Sequence, residues 1–299
     1  MNGVRNLLLP KALLNLKRLS LQTGIRSSTN KTFPLMYYGN MCAEFNPLDW
    51  QLLYRFPDRL HKKSSWTEHV PFAMALIEML HPRTLVELGT QHGVSYCAFC
   101  QAVAELKLST RCFAVDTWLG DPHANYYKES VYLDLHAYHR RYEAFSTLLR
   151  MTFDQALPHI PAASVDLLHI DGLHFYDAVK SDYETWFPKL SDRAVVLFHD
   201  TMETKRDFGV HQLWRELSPN FPGFNFEHGH GLGILAVGPQ QPPAFLDFLR
   251  TANTKPAATR ALFASLGRRV ILETEKHWLN QKSPVQRALT VLKSKSLLR

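Results

Sequence analysis

A chain of 299 residues with 45% hydrophobic and 20% charged residues suits one large core with appendages and is too apolar for a disordered polymer. Four cysteines (Cys42, Cys97, Cys100, Cys112) are too few for a disulfide framework, and no apolar run approaches the roughly 18 residues that a membrane-spanning helix needs. The net charge of +7 permits an anionic partner, but basic residues ordinarily form a solvated face, so nucleic-acid binding is not expected.

Residues 1–65 read as a basic N-terminal extension. No acidic residue precedes Glu44, and Leu9, Leu13 and Leu16 recur at helical spacing. A solvated tail, an amphipathic segment touching anionic membrane, and a cleavable organellar presequence are the alternatives. The expected location is the cytoplasm, with peripheral membrane contact or an organelle as variants.

Residues 66–239 alternate strands with helices. A helix over 67–80 stops at Pro82. Then come strand 84–89, helix 94–107, strand 111–116 and an insertion over 117–146. Strand 146–153, strand 165–171, helix 177–190, strand 194–200 and helix 209–217 follow. Near-continuous apolar strands between amphipathic helices predict an α/β fold, a mostly parallel sheet with helices on both faces. FNFEH and GLGILAVG are joined by too short a link for a crossover, so the last two strands are antiparallel neighbours. Residues 240–299 read as a basic helical extension punctuated by Gly267 and Pro284.

In such sheets ligands sit beyond the carboxyl ends of the strands. That rule gathers residues 87–93, Asp116, Asp171 and Asp200 around one crevice. In ELGTQHG, Gly89 and Gly93 let the chain turn sharply before a helix. The loop lacks the third glycine of a dinucleotide fingerprint. Asp116, closing its strand, is placed to accept hydrogen bonds from ribose hydroxyls. His174, three residues after Asp171, has the ordinary pKa of a general base, whereas His169 lies within its strand and reads as structural. Cys97 and Cys100, mid-helix, read as buried thiols.

VELGTQHGVSY, FAVDTWLGDPH, VDLLHIDGLHFYDAVKSDYETW, VVLFHDT and HGHGLGILAVG together resemble class I S-adenosylmethionine-dependent methyltransferases. The particular likeness is to the group often encoded beside glycosyltransferases, related more distantly to macrocin O-methyltransferase and cephalosporin hydroxylase-like proteins. It spans roughly residues 66–239 and implies a Rossmann-like seven-stranded sheet ending in an antiparallel hairpin. It further implies S-adenosylmethionine held by Glu87, Gly89, Thr90, Gly93, Asp116, Thr152 and Asp171, with His174 and Asp171 catalytic. By the same resemblance a divalent cation, magnesium, manganese or another, would sit on Asp171, His199 and Asp200. The histidine favours zinc, iron or manganese over magnesium. The expected acceptor is a saccharide or another small hydroxylated metabolite. Competing functions are a binding module without turnover and a nicotinamide-dependent oxidoreductase. The sequence leaves the oligomeric state open.

Overall fold

The computed structural model describes residues 44–61, 64–123, 125–205 and 207–280. The leucine-spaced basic segment, Cys42 and Pro284 lie outside these residues. After a 3₁₀ turn at Ser65–His69, helix α1 (Val70–Leu80) is buried nearly all round. It ends where His81 adopts a left-handed φ of 43°, one residue before Pro82. Strand β1 (Thr84–Leu88), helix α2 (Val94–Glu105) and strand β2 (Arg111–Asp116) follow. The insertion folds as a small hairpin, β3 (Gly120–Asp121) with β4 (Asn125–Tyr126), and helix α3 (Glu129–His139). Next come β5 (Ser146–Arg150), the single turn α4 (Phe153–Ala156), β6 (Val165–Ile170), α5 (Tyr176–Trp186) and β7 (Leu190–His199). Helix α6 (Val210–Leu217), strands β8 (Gly223–Phe226) and β9 (Leu232–Ala236), and helices α7 (Pro243–Thr254) and α8 (Pro256–Asn280) complete the chain.

The main sheet has seven strands in the order β5-β2-β1-β6-β7-β9-β8. The first five in that order are parallel, while β9 pairs antiparallel with both β7 and β8. The expected hairpin therefore forms, and its second strand inserts beside β7. Successive strand side chains point to opposite faces. Leu85, Leu167, Val195 and Leu197 join the core beneath α1, α2, α7 and α8, whereas Val86, Leu168, Val196 and Phe198 join the core beneath α5 and α6. This two-sided burial is why the strands read as continuous apolar runs.

The flanking segments, expected as appendages, share the first core where they are described. Phe45, Leu52 and Leu53 belong to it, as do Phe245, Phe248 and Phe263. The Phe72 ring lies 5.3 Å from Phe248 and 5.5 Å from Phe263. Each buried phenylalanine contributes roughly 2–3 kcal/mol, so α7 and α8 are structural parts of the domain. Gly267 does not punctuate. It sits inside the 25-residue α8, and a Cβ there would collide with the backbone of Glu68, so its role is close approach of the helix to the 65–69 turn. No helix among the described residues is long and apolar enough to cross a membrane.

Candidate active site

Strand order reverses between β1 and β6, since β1 leads outward through β2 to β5 while β6 leads the other way through β7. A crevice opens at such a switch point, and a cavity of about 690 Å³ occupies it. Gly89, Thr90, Asp116, Thr152, Asp171, His174 and Asp200 all line it. The glycine loop presses against β6. Gly89 has φ of +88°, and a Cβ there would collide with the carbonyl of Asp171, so no other residue fits without moving the strand end.

Asp116 fastens this loop. Its Oδ2 accepts the Thr90 and Gln91 amides at 2.9 Å each, and its Oδ1 accepts the Trp118 amide at 2.6 Å. Burial pushes the carboxyl up, against the lowering effect of these amides. A carboxylate offers about four lone-pair sites, so one remains for a ligand hydroxyl. Asp116 is thus both a loop anchor and a wall of the cavity. Beside it, the Thr90 Oγ1 is buried without a partner among the described residues.

Two expected cofactor contacts lie elsewhere. Glu87 is fully buried and absent from the cavity wall. By strand alternation it points with Leu85 into the opposite core face, where Oε2 meets His169 Nδ1 at 2.8 Å. Trp66 Nε1, which can only donate, reaches His169 Nε2 at 3.1 Å. That assigns the imidazole hydrogen to Nδ1 and makes Trp66, His169 and Glu87 one buried chain. Gly93 also misses the cavity. It caps α2 with φ of 72°, and a Cβ there would strike Leu135.

The ends of β6 and β7 bring four ionisable groups together. His174 Nε2 lies 2.8 Å from Asp200 Oδ2 and 3.4 Å from Asp171 Oδ1. His199 Nδ1 lies 3.3 Å from each of the same two carboxylates. His199 Nε2 donates to the Gly229 carbonyl at 3.1 Å. Burial disfavours charge on His174, but the bonds and charges of Asp171 and Asp200 outweigh it and push the imidazole up to about 9. His199 is raised the same way, against burial, by Asp200 and Asp171. Burial also opposes ionisation of the two aspartates, yet the His199 charge and the imidazole bonds hold both well below the usual carboxylate range. The imidazole of ordinary basicity expected at His174 is therefore an ion-paired imidazolium at neutral pH. Residue spacing could not reveal this, since Asp200 reaches hydrogen-bond distance of His174 only in the folded chain.

The donor atoms of Asp171, His174 and Asp200 lie within 4.8 Å of one another, a spacing that could hold a cation. His199 Nδ1 lies 3.3 Å from the same two oxygens, so the expected trio of Asp171, His199 and Asp200 is brought together as well, with His174 added to it. The Phe208 ring stacks on His174 at 4.5 Å and 18°, and Glu203 meets His230 at 3.3 Å on the rim. Gln91, Asp200 and His230 line the cavity at positive φ (47°, 61°, 66°), strain of about 1–3 kcal/mol each of the kind that gathers at functional sites.

Ser64, Ser65, Asp182, Glu203 and Phe208 were not anticipated on this wall. The seryl pair and Phe208 come from segments without a motif, and no spacing rule would have found them. Of the aromatic residues in the insertion, His123 and Tyr127 line the cavity, Trp118 is buried and bonded to the Gln91 carbonyl, and Tyr126 is exposed.

Residues 86–201 match a family described as a methyltransferase domain. A protein of Sinorhizobium fredii (strain NBRC 101917 / NGR234), described as uncharacterized protein y4gI, is 52% identical over 188 residues. That alignment takes in 63% of this chain but 21% of the relative, so the chain spans about a fifth of its length. Among solved structures, the O-methyltransferase TomG of Streptomyces achromogenes, in complex with SAM, aligns at 16% identity and TM-score 0.43, covering 60% of this chain and 83% of its own. The SAH-bound methyltransferase PaMTH1 of Podospora anserina aligns at 11% identity and TM-score 0.43, covering 78% and 98%. The family match runs over the glycine loop, Asp116 and both carboxylate-bearing strand ends, so the segment similar to a methyltransferase domain is the one that builds the cavity.

Proposed function

We propose that the protein transfers a methyl group from S-adenosylmethionine to a hydroxyl of a small neutral acceptor, a saccharide or similar polyol. The observation that carries this reading is the charge of the cavity. Asp116, Asp121, Asp154, Asp182 and Glu203 line it beside Asp171 and Asp200, with no lysine or arginine among the described lining residues. Such a wall attracts a ligand bearing sulfonium and ammonium charges and repels the pyrophosphate of a nicotinamide dinucleotide. The glycine loop and Asp116 form the end suited to the ribose and amino-acid parts of the cofactor. The acidic imidazole cluster forms the end suited to the reacting hydroxyl.

Methyl transfer needs the hydroxyl aligned with the sulfonium and relieved of its proton. In neutral His174 the Nε2 hydrogen goes to the carboxylates, and Nδ1, buried without a partner among the described residues, is left to take the proton. With the imidazole pushed up to about 9, only about 1% is neutral at pH 7, which limits the rate but makes the protonated product state stable. Phe208 and the two aspartates fix the ring. His199, charged between Asp171 and Asp200, balances their charge without an added ion.

The close donor spacing favours one second reading. Asp171, His174 and Asp200 fit a divalent cation such as manganese, iron or zinc, and the chemistry this supplies is Lewis-acid stabilisation of the developing alkoxide. The two uses of His174 exclude each other.

Thermal shift with S-adenosylhomocysteine against NAD tests the cofactor, since only a ligand of the folded state raises the melting temperature. A labelled-methyl screen over glycosides and polyols tests the reaction, and a His174→Gln variant should lose roughly 10²–10⁴-fold in rate. Full activity in EDTA removes the metal reading. A melting temperature that responds to NAD and not to S-adenosylhomocysteine removes the methyltransferase reading, and cofactor binding with no labelled product for any acceptor leaves a binding module.

A further inference from the structure

The wall formed by α4, α5 and the turn after β6 holds a carboxyl that nothing in the reaction above uses. Asp182 lines the cavity from α5. It is half-buried, and no described residue donates a hydrogen bond or ion pair to it. Its nearest charge is that of Asp154, which repels it. Phe153 lines the cavity near it. A Cβ at Gly172 would meet Phe153 Cε2 at 2.5 Å and Asp182 Oδ2 at 3.4 Å, so a flat ring and a carboxyl flank one bare glycine.

Resting on the S-adenosylmethionine reading, we infer that Asp182 is a specificity residue that hydrogen-bonds the amino edge of the cofactor's purine, with Phe153 supporting the ring. Burial and the Asp154 charge push the carboxyl up to about 7, so near neutrality much of it is protonated. A protonated carboxyl presents one donor and one acceptor. An aminopurine presents the complement, a ring nitrogen that accepts beside an amino group that donates. A purine with hydrogen in place of the amino group keeps the ring acceptor and loses the donor, and so forfeits one of the two bonds. An asparagine at this position would offer the same donor and acceptor pair as the protonated carboxyl, and a leucine neither.

The test measures affinity by calorimetry for S-adenosylhomocysteine and for its analogue with hydrogen in place of the purine amino group, in wild-type, Asp182→Asn and Asp182→Leu proteins. Wild type should favour the amino form about tenfold, the value of one hydrogen bond of about 1.4 kcal/mol. Asp182→Asn should keep that preference, and Asp182→Leu should bind both ligands alike, about tenfold more weakly than wild type binds the amino form. Melting temperatures of the unliganded variants separate loss of fold from loss of recognition. Binding of S-adenosylhomocysteine with the same discrimination in wild type and Asp182→Leu overturns this inference alone. Failure of wild type to bind S-adenosylhomocysteine overturns the cofactor reading and this inference with it.

Discussion

Replacing Asp200 by Asn isolates the electrostatics of the cluster. In the wild type His174 Nε2 has Asp200 Oδ2 at 2.8 Å and Asp171 Oδ1 at 3.4 Å, and together they raise the imidazole from its ordinary value to about 9. At about 1.4 kcal/mol per pKa unit this corresponds to roughly 3 kcal/mol of preference for the imidazolium. Asp171 and Asp200 each act through a hydrogen bond and through charge, Asp171 first, and a carboxylate at such a distance shifts a partner by about 1–3 units. Asp200→Asn removes the charge, keeps the shape, and should lower the His174 pKa by more than about one unit. Imidazole NMR titration of the metal-free protein, with His174 assigned by its loss in His174→Gln, reads the shift directly. If His174 in the wild type titrates near pH 6.5, or does not move in Asp200→Asn, the ion-paired account of the cluster is wrong. The activity profile gives a second reading. If Nδ1 takes the proton, kcat/KM of the wild type climbs with pH toward about 9, and in Asp200→Asn the limb shifts to lower pH.

Stability should depend on pH in a defined direction. His174 and His199 have raised folded values, so their contribution is complete below about pH 6.5 and is lost as pH rises through about 9 for His174. Asp182, raised to about 7, acts in the same sense from lower pH upward. Asp171 and Asp200, held low, contribute above about pH 4 and are lost on further acidification. Below about pH 6.5 the buried histidines held low, His61, His69, His92, His139 and His228, cost stability as they take protons, so the test lies on the alkaline side: urea unfolding of metal-free protein should show stability falling from about pH 7 to 9, less steeply in His174→Gln, and a rise over that range would contradict the assignments. Gly89→Ala should destabilise by at least about 2 kcal/mol and abolish binding of S-adenosylhomocysteine, because φ of +88° and the Asp171 carbonyl both resist a Cβ; calorimetry with near-native binding would refute that account. Glu87→Leu leaves the His169 Nδ1 hydrogen buried without a partner and should cost roughly 1–3 kcal/mol. Glu87→Gln keeps an acceptor and, lying off the cavity, should hold cofactor affinity within about twofold; a large affinity loss in a stable Glu87→Gln protein would return Glu87 to the site.

Most of the sheet is legible in the chain because burial on both faces demands unbroken apolar strands, and TLVEL, RCFAVD and VDLLHI are such runs. Chain-end chemistry is legible for the same reason, since Asp116, Asp171 and Asp200 interrupt those runs where the strands stop. Glu87 was misplaced because strand alternation, and not proximity to the loop, decides which face a side chain takes. Gly267 looked like a break because a glycine in a helix is locally unfavourable, and only the neighbouring Glu68 backbone explains it. Local sequence thus determined which segments are strands and helices and which residues lie at their ends, as hydrogen-bond periodicity and burial act over a few residues. Tertiary structure alone decided that β9 lies between β7 and β8, that residues 44–61 and α7–α8 share the first core, and that His174 meets Asp200. Those pairings join residues tens of positions apart, and both their distances and the basicity that follows from them exist only once the sheet has closed.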